Sequence, residues 1–241
     1  MSALAAGART LGVELSAGQL AQFDQFQAAL LDWNARVNLT SITSAPEVEV
    51  KHFLDSLTAA VPVLARLRAG EAPRAIDVGT GGGFPGIPLK IAFPRLKLTL
   101  LEATGKKARF LRAVVEMLQL SDVEVKAARA EDLARLPGHR DEYGLATARA
   151  LGSLATVVEL CAPFLEPGGL LVAQRRGDLE AELRRAAPAF SALKVWARAP
   201  VPIQVPGLAD GRGLIVGEKH GPTPSRYPRR SGMARKDPIS A

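Results

Sequence analysis

Only one cysteine, Cys161, and three histidines, His52, His139 and His220, occur in the 241 residues. A single thiol excludes an intramolecular disulfide and a cysteine metal cluster, and the scattered histidines show no metal-ligand spacing. No metal is therefore expected. Aromatic residues make up 5% of the chain, so the core must be built mostly from Leu, Val and Ala. No apolar stretch is long enough to span a bilayer. Residues 1–15 carry no long apolar run and no cleavage pattern for secretion. A soluble, cytoplasmic protein with no membrane association is the expectation, and a monomer is taken as its state.

Against these absences stand 47% hydrophobic residues, a mass of 25.5 kDa and a net charge of +7. That length suits one α/β domain plus an appendage. The charge is uneven. From Lys219 to Ala241 there are six Lys or Arg and one acid, Asp237, so the last stretch carries +5 of the +7. Such asymmetry points to a polyanion, most often nucleic acid. A solubilising tail is the bland alternative.

The stretch Arg74-Ala-Ile-Asp-Val-Gly-Thr-Gly-Gly-Gly-Phe-Pro-Gly86 organises the rest. It reads as a short buried strand, a glycine loop and a helix start. That geometry sets a ligand against exposed amides and a helix N-terminus. Gly81, Gly83 and Gly86 fit a dinucleotide spacing. Asp77, Gly79, Gly81 and Gly83 fit that of an S-adenosylmethionine (SAM) site. Asp77 favours the second, because its carboxylate suits the methionine ammonium and would repel a pyrophosphate.

Before the loop, Ser16 and Gln19 have the spacing of a capping box. A helix is expected from Ala17 to Trp33, then a turn to Ile42. A second helix is expected from Pro46 to Leu67, with His52 and Asp55 as its hydrogen-bonded or solvated flank. Residues 1–70 thus read as an N-terminal helical region, 71–220 as a SAM-binding methyltransferase domain and 221–241 as a basic tail. After the loop, strands are expected at 96–101, 123–127, 143–148, 170–173, 193–199 and 213–219, with helices between the early ones. The last strand should run antiparallel. The fold class is α/β, a Rossmann-like, mostly parallel sheet of the class I methyltransferase type with an N-terminal helical extension.

Ligands on such a sheet bind at the carboxyl ends of the strands. Asp77 and Gly79 end the first strand. Glu102 ends the second, at about the ~20-residue offset of a ribose-binding acid. Ala130 and Glu131 follow the third and are placed to line an adenine pocket. Arg149 ends the fourth, where a methyl acceptor would approach, and is assigned to acceptor positioning. No Asn/Asp-Pro-Pro-aromatic element for amino-group methylation stands there, and no His or Lys base sits at a strand end. Cys161 falls mid-helix on a buried stripe. What remains is an acceptor that is already nucleophilic, such as guanine N7. Candidate RNA contacts are Lys106, Lys107, Arg109 and Arg112 on the second crossover helix, Arg175 and Arg176 after the fifth strand, and Arg226, Arg229, Arg230, Arg235 and Lys236 in the tail. Tyr227 is interleaved there to stack on a base. The proline-bearing tail is expected to be irregular and to order on RNA.

At these residues the chain resembles the bacterial 16S ribosomal RNA guanine-N7 methyltransferases called RsmG or GidB. The match includes Trp33-Asn34, Asn38-Leu-Thr40, His52-Phe-Leu-Asp-Ser-Leu57, Asp77 through Gly86 with Phe84-Pro85-Gly86, Lys106-Lys-Ala-Arg-Phe-Leu111, Arg129-Ala-Glu131, Arg149-Ala150 and Tyr227-Pro-Arg-Arg230. The resemblance implies SAM contacts at Gly79, Phe84, Ala130, Glu131 and Arg149. It also implies rRNA processing, with one guanine in the decoding region of the small subunit converted to 7-methylguanosine. Where the family has Lys-Gly after the fifth strand, this chain has Gln174-Arg175-Arg176-Gly177. Other class I methyltransferases acting on RNA or protein, a non-catalytic ribosome-assembly factor and, last, an NAD-dependent oxidoreductase stay as alternatives.

Overall fold

The computed structural model describes residues 1–69, 71–204, 207 and 211–240. Its centre is one eight-stranded sheet: β1 (Arg74–Val78), β2 (Lys97–Leu101), β3 (Val123–Lys126), β4 (Tyr143–Arg149), β5 (Leu165–Arg176), β6 (Val195–Ala197), β7 (Val201–Pro202) and β8 (Arg212–Lys219). The order is β3-β2-β1-β4-β5-β8-β6, with β7 against β8. Strands β1 to β5 pair in parallel. Strand β8 runs antiparallel between β5 and β6, as the sequence led us to expect.

Alternation along the strands splits the core in two. Ala75, Leu98, Leu100, Leu145, Leu170 and Val172 face the N-terminal helices. Ile76, Val78, Leu101, Ala146, Leu171 and Ala173 face the helices Leu154–Cys161 and Leu179–Ala192. The scarce aromatics are concentrated on the first side. Phe23, Phe26, Phe53, Phe84 and Phe110 stack or tilt against one another at centroid distances of 5.1 to 6.5 Å. The N-terminal helices are thereby packed into the core of the sheet.

Local structure departs from expectation in four places. An additional helix, Ser2–Thr10, buries Leu4 and Ala8. The capping box at Ser16 and Gln19 forms, but its helix runs through Val37. It ends where Asn38 turns left-handed and Asn34 Oδ1 accepts from the amides of Leu39 and Thr40 at 2.7 and 2.9 Å. The helix expected over 46–67 is broken into Ala45–Val48, a wide π-type turn Glu49–Leu54, Asp55–Thr58, a 3-10 turn Val61–Val63 and Leu64–Arg68. Pro62 cannot donate within a helix and clashes with the preceding turn. The π-type turn shifts the register of the side chains that follow it. Finally, β5 begins at Leu165 rather than at the expected residue 170 and runs through Pro167-Gly-Gly169. Leu165 already pairs with Tyr143, and the irregularity is absorbed by a register shift inside β5.

Candidate active site

Asp77 lies in the middle of the sheet, where β1 pairs with β2 through Leu100 and with β4 through Thr147. Its carboxylate is fully buried. Oδ2 accepts from Thr80 Oγ1 at 2.5 Å and from the Gly86 amide at 2.9 Å, and Oδ1 accepts from Thr147 Oγ1 at 3.1 Å. Burial raises its pKa to about 6, against the pull of these hydrogen bonds. This corrects the expectation that Asp77 meets a ligand's ammonium. Its oxygens are turned inward, and its role is to fasten the loop to the sheet.

The loop glycines divide into two kinds. A Cβ on Gly79 would come 2.4 Å from Leu151 Cδ1, and one on Gly83 would come 2.5 Å from Ile87 Cδ1. Those two allow side chains to close over the backbone. Gly81 also has a positive φ, of +60°, but a Cβ there would meet nothing nearer than 3.9 Å. The loop is therefore open beside Gly81. Its amide donates to Glu102 Oε2 at 3.0 Å, while Glu102 Oε1 accepts from the Thr104 amide at 2.7 Å. Phe84 sends its ring into the aromatic cluster and is 5% exposed. Beyond β3, the one-turn helix Ala130–Leu133 carries half-buried Ala130 and buried Glu131. Glu102, Gly79, Arg149 and Gln174 thus stand in a row across the ends of β2, β1, β4 and β5.

Arg149 joins this edge to the N-terminal helices. Its Nη1 donates to Asp55 Oδ2 at 2.9 Å, and Arg212 Nη1 reaches the same oxygen at 2.8 Å. Arg149 Nη2 lies 3.2 Å from His52 Nδ1. A guanidinium can only donate, so Nδ1 accepts. His52 Nε2 then carries the proton and donates to Thr40 Oγ1 at 2.7 Å. Burial, then the charges of Arg149 and Arg212, lower the pKa of His52 to about 3. The imidazole is held neutral. It stacks on Phe84 at 4.5 Å, and Arg149 Cζ lies 4.9 Å from the same ring. His52 and Asp55 are buried and hydrogen-bonded, so the hydrogen-bonded reading of this flank holds and the solvated one does not. Their spacing of three along the chain was the available signal, since it puts both on one helical face.

Next to this cluster opens a cleft of about 900 Å³, lined among others by Lys51, His52, Asp55, Arg149, Gln174, Arg175, Arg185 and Arg212. Gln174 Nε2 donates to the Asp55 carbonyl at 2.5 Å and to Thr58 Oγ1 at 3.0 Å. Its Oε1 is the buried side-chain oxygen without a hydrogen-bond partner among the described residues. Arg175 pairs with Glu182 and donates to the Gly152 carbonyl, while Arg176 stands exposed.

The other candidate RNA contacts scatter. Lys106, Arg109 and Arg112 are exposed and Lys107 half-buried on the helix Gly105–Met117. The tail is ordered against the protein, contrary to expectation. Tyr227 is 8% exposed and cannot stack on a base. Arg229 donates to both oxygens of buried Glu159, at 2.8 and 2.6 Å, and also pairs with Asp237. Arg140 holds the carbonyls of Thr223 and Tyr227, each at 2.9 Å. Arg226, Arg230, Arg235 and Lys236 remain exposed. The segment does have little regular structure, a single turn at Met233–Lys236. Side chains of distant elements supply its order. Cys161 is buried, and burial raises its thiol pKa strongly.

Among the described residues no helix is long and apolar enough to cross a membrane, and no cluster of His, Cys, Asp or Glu could hold a metal. Among solved structures, a mutant of MtNAS in complex with S-adenosylmethionine is similar, at TM-score 0.55 and 14% identity over 84% of this chain and 76% of that one. The CMeT domain of the citrinin polyketide synthase is similar at TM-score 0.54 and 12% identity, over 70% and 53%. These likenesses show a shared fold. Sequence relatives are much nearer. The ribosomal RNA small subunit methyltransferase G of Dehalococcoides mccartyi is 45% identical over 99% of this chain and 100% of its own. That of Roseiflexus castenholzii is 44% identical over 96% and 97%. The family model GidB, described as rRNA small subunit methyltransferase G, matches residues 19–201. This chain belongs to that family, the GidB-type methyltransferases of small-subunit ribosomal RNA.

Proposed function

We propose that the chain transfers a methyl group from S-adenosylmethionine to N7 of one guanine in the decoding region of 16S ribosomal RNA. The relatives' shared name supports the substrate class. The observation that carries N7 is the chemistry of the cleft wall. Among its described residues, the groups that could act as a base are already engaged. His52 is neutral with both ring nitrogens occupied. Asp55 is shared by two arginines, Lys51 pairs with Glu47, Glu182 with Arg175, and Asp178 caps its helix. Such a wall suits an acceptor atom that needs no deprotonation. Guanine N7 carries a lone pair, so placement and electrostatics suffice.

The donor fits the residues at the strand ends. The open space beside Gly81 admits a ligand against the backbone, Glu102 offers a carboxylate beside it, and Ala130 with Glu131 flank the next position along the sheet. When bound, S-adenosylmethionine supplies an electrophilic methyl group on its sulfonium. The protein's own residues do the rest. Arg149, pinned by Asp55 and His52, braces the junction between cradle and cleft. The cations of the cleft draw in phosphates. The test is transfer of a labelled methyl group to 16S RNA or small subunits, followed by nucleoside analysis. The expected product is 7-methylguanosine. Label on any other nucleoside overturns the N7 assignment, and no transfer overturns the enzyme.

A further inference from the structure

We propose that the tail segment from Arg229 to Ala234 is a strap that positions Glu131, and through it the methyl-donor pocket. The inference rests on reading Ala130 and Glu131 as one side of that pocket. Glu131 is 6% exposed, so its carboxylate needs a donor. That donor is the Gly232 amide, 2.7 Å from Oε1. No protein group among the described residues bonds Oε2, which leaves one oxygen for a ligand. A single turn such as Ala130–Leu133 cannot hold its own shape. The strap supplies what the turn lacks.

The Gly232 amide is itself fixed from both sides. Upstream, Arg229 clamps Glu159, a carboxylate with 0% exposure. Ser231 Oγ donates to Asp132 Oδ1 at 2.8 Å, one residue beyond Glu131. Downstream, Thr156 Oγ1 donates to the Ala234 carbonyl at 2.8 Å. Gly232 has φ +88°, and a Cβ there would meet nothing within 4 Å. The left-handed backbone aims its N–H at Glu131, and only glycine adopts it readily. A basic tail that looks like an RNA arm is thus a support for the cofactor side of the site.

The experiment is calorimetric titration of the full chain with S-adenosylmethionine. Gly232→Pro removes the N–H and the left-handed backbone, and should raise Kd about tenfold or more. Gly232→Ala keeps the donor but strains the left-handed backbone, and should raise Kd less than Gly232→Pro does. Placed in a Glu131→Ala background, Gly232→Pro should cause no further loss, because the strap acts through that carboxylate. Should Gly232→Pro fail to fold, Thr156→Val frees the strap downstream and should raise Kd about threefold. Full affinity in Gly232→Pro, or in Thr156→Val where that is the variant used, with Glu131→Ala weakened, overturns the strap alone. So do losses that simply add. Unchanged affinity in Glu131→Ala overturns the pocket reading and the strap with it.

Discussion

The loop Asp77–Gly86 and the segment Gly221–Ser240 are both irregular and rich in glycine or proline, yet they are held in opposite ways. Inside the loop, two of the three partners of Asp77, Thr80 and Gly86, stand three and nine residues along the chain, and Thr147 alone is distant. In the tail, Arg229 bonds Glu159 and Gly232 bonds Glu131, at separations of 70 and 101 residues. Local bonds need only the right neighbours in sequence. Long-range bonds need the rest of the fold already in place, and they repay a larger loop-closure entropy. An irregular, charged segment can therefore be as well fixed as a motif while carrying no local sign of it.

Breaking the tail's clamp should have the largest effect. Arg229→Met strands Glu159 as an unpaired buried carboxylate and should cost about 4 kcal/mol in urea denaturation. Adding Glu159→Leu should recover most of that loss. A single-variant cost near zero would remove the contrast between free tail and docked strap. In the loop, Asp77→Ala leaves the Gly86 amide and two hydroxyls without an acceptor and should cost about 3 kcal/mol, measured the same way. Asp77→Asn should cost much less, since Thr147 can turn its hydroxyl to accept. Equal costs for the two would mean that Asp77 does not act as the loop's fastening.

A smaller effect should separate the N-terminal helices from the loop by sign. The folded pKa of His52, about 3, lies below its unfolded value of 6.5. Below pH 6.5 the unfolded chain binds the proton first, so this contribution is present at neutral pH and is lost as pH falls. Asp77 is the reverse. Its folded pKa near 6 exceeds the unfolded 3.8, so its contribution grows as pH falls through that window. The stability difference between the wild type and His52→Gln cancels the Asp77 part. It should shrink by about 2 kcal/mol from pH 6.5 to 5. A difference that stays flat over that range would mean a charged or exposed imidazole.

The alternation of strands and helices and the antiparallel β8 were legible because each rests on short-range pattern. Alternation marks strands, and positive-φ glycines mark the loop. The cluster of His52, Asp55, Arg149 and Arg212 was not legible as a unit. Asp55 and Arg212 are paired across more than half the chain, and only β8 inserting beside β5 brings them together. Asp77 was located correctly and its direction misjudged, because a strand's end does not reveal whether a carboxylate points out or in. Tyr227 was misjudged for a related reason. An aromatic among arginines has the same composition whether its ring faces solvent or core.

The residue pattern by itself determined the α/β architecture, the glycine cradle and membership of the small-subunit rRNA methyltransferase family. Backbone conformation and side-chain alternation are local, so they are written in adjacent residues. Only the tertiary structure decided which charges are spent on the protein and which stay at the surface. Arg149 and Arg229 are engaged by buried carboxylates, while Lys106, Arg109 and Arg230 face outward. Burial and pairing depend on what the folded chain places opposite each group, and no single stretch of sequence contains that information.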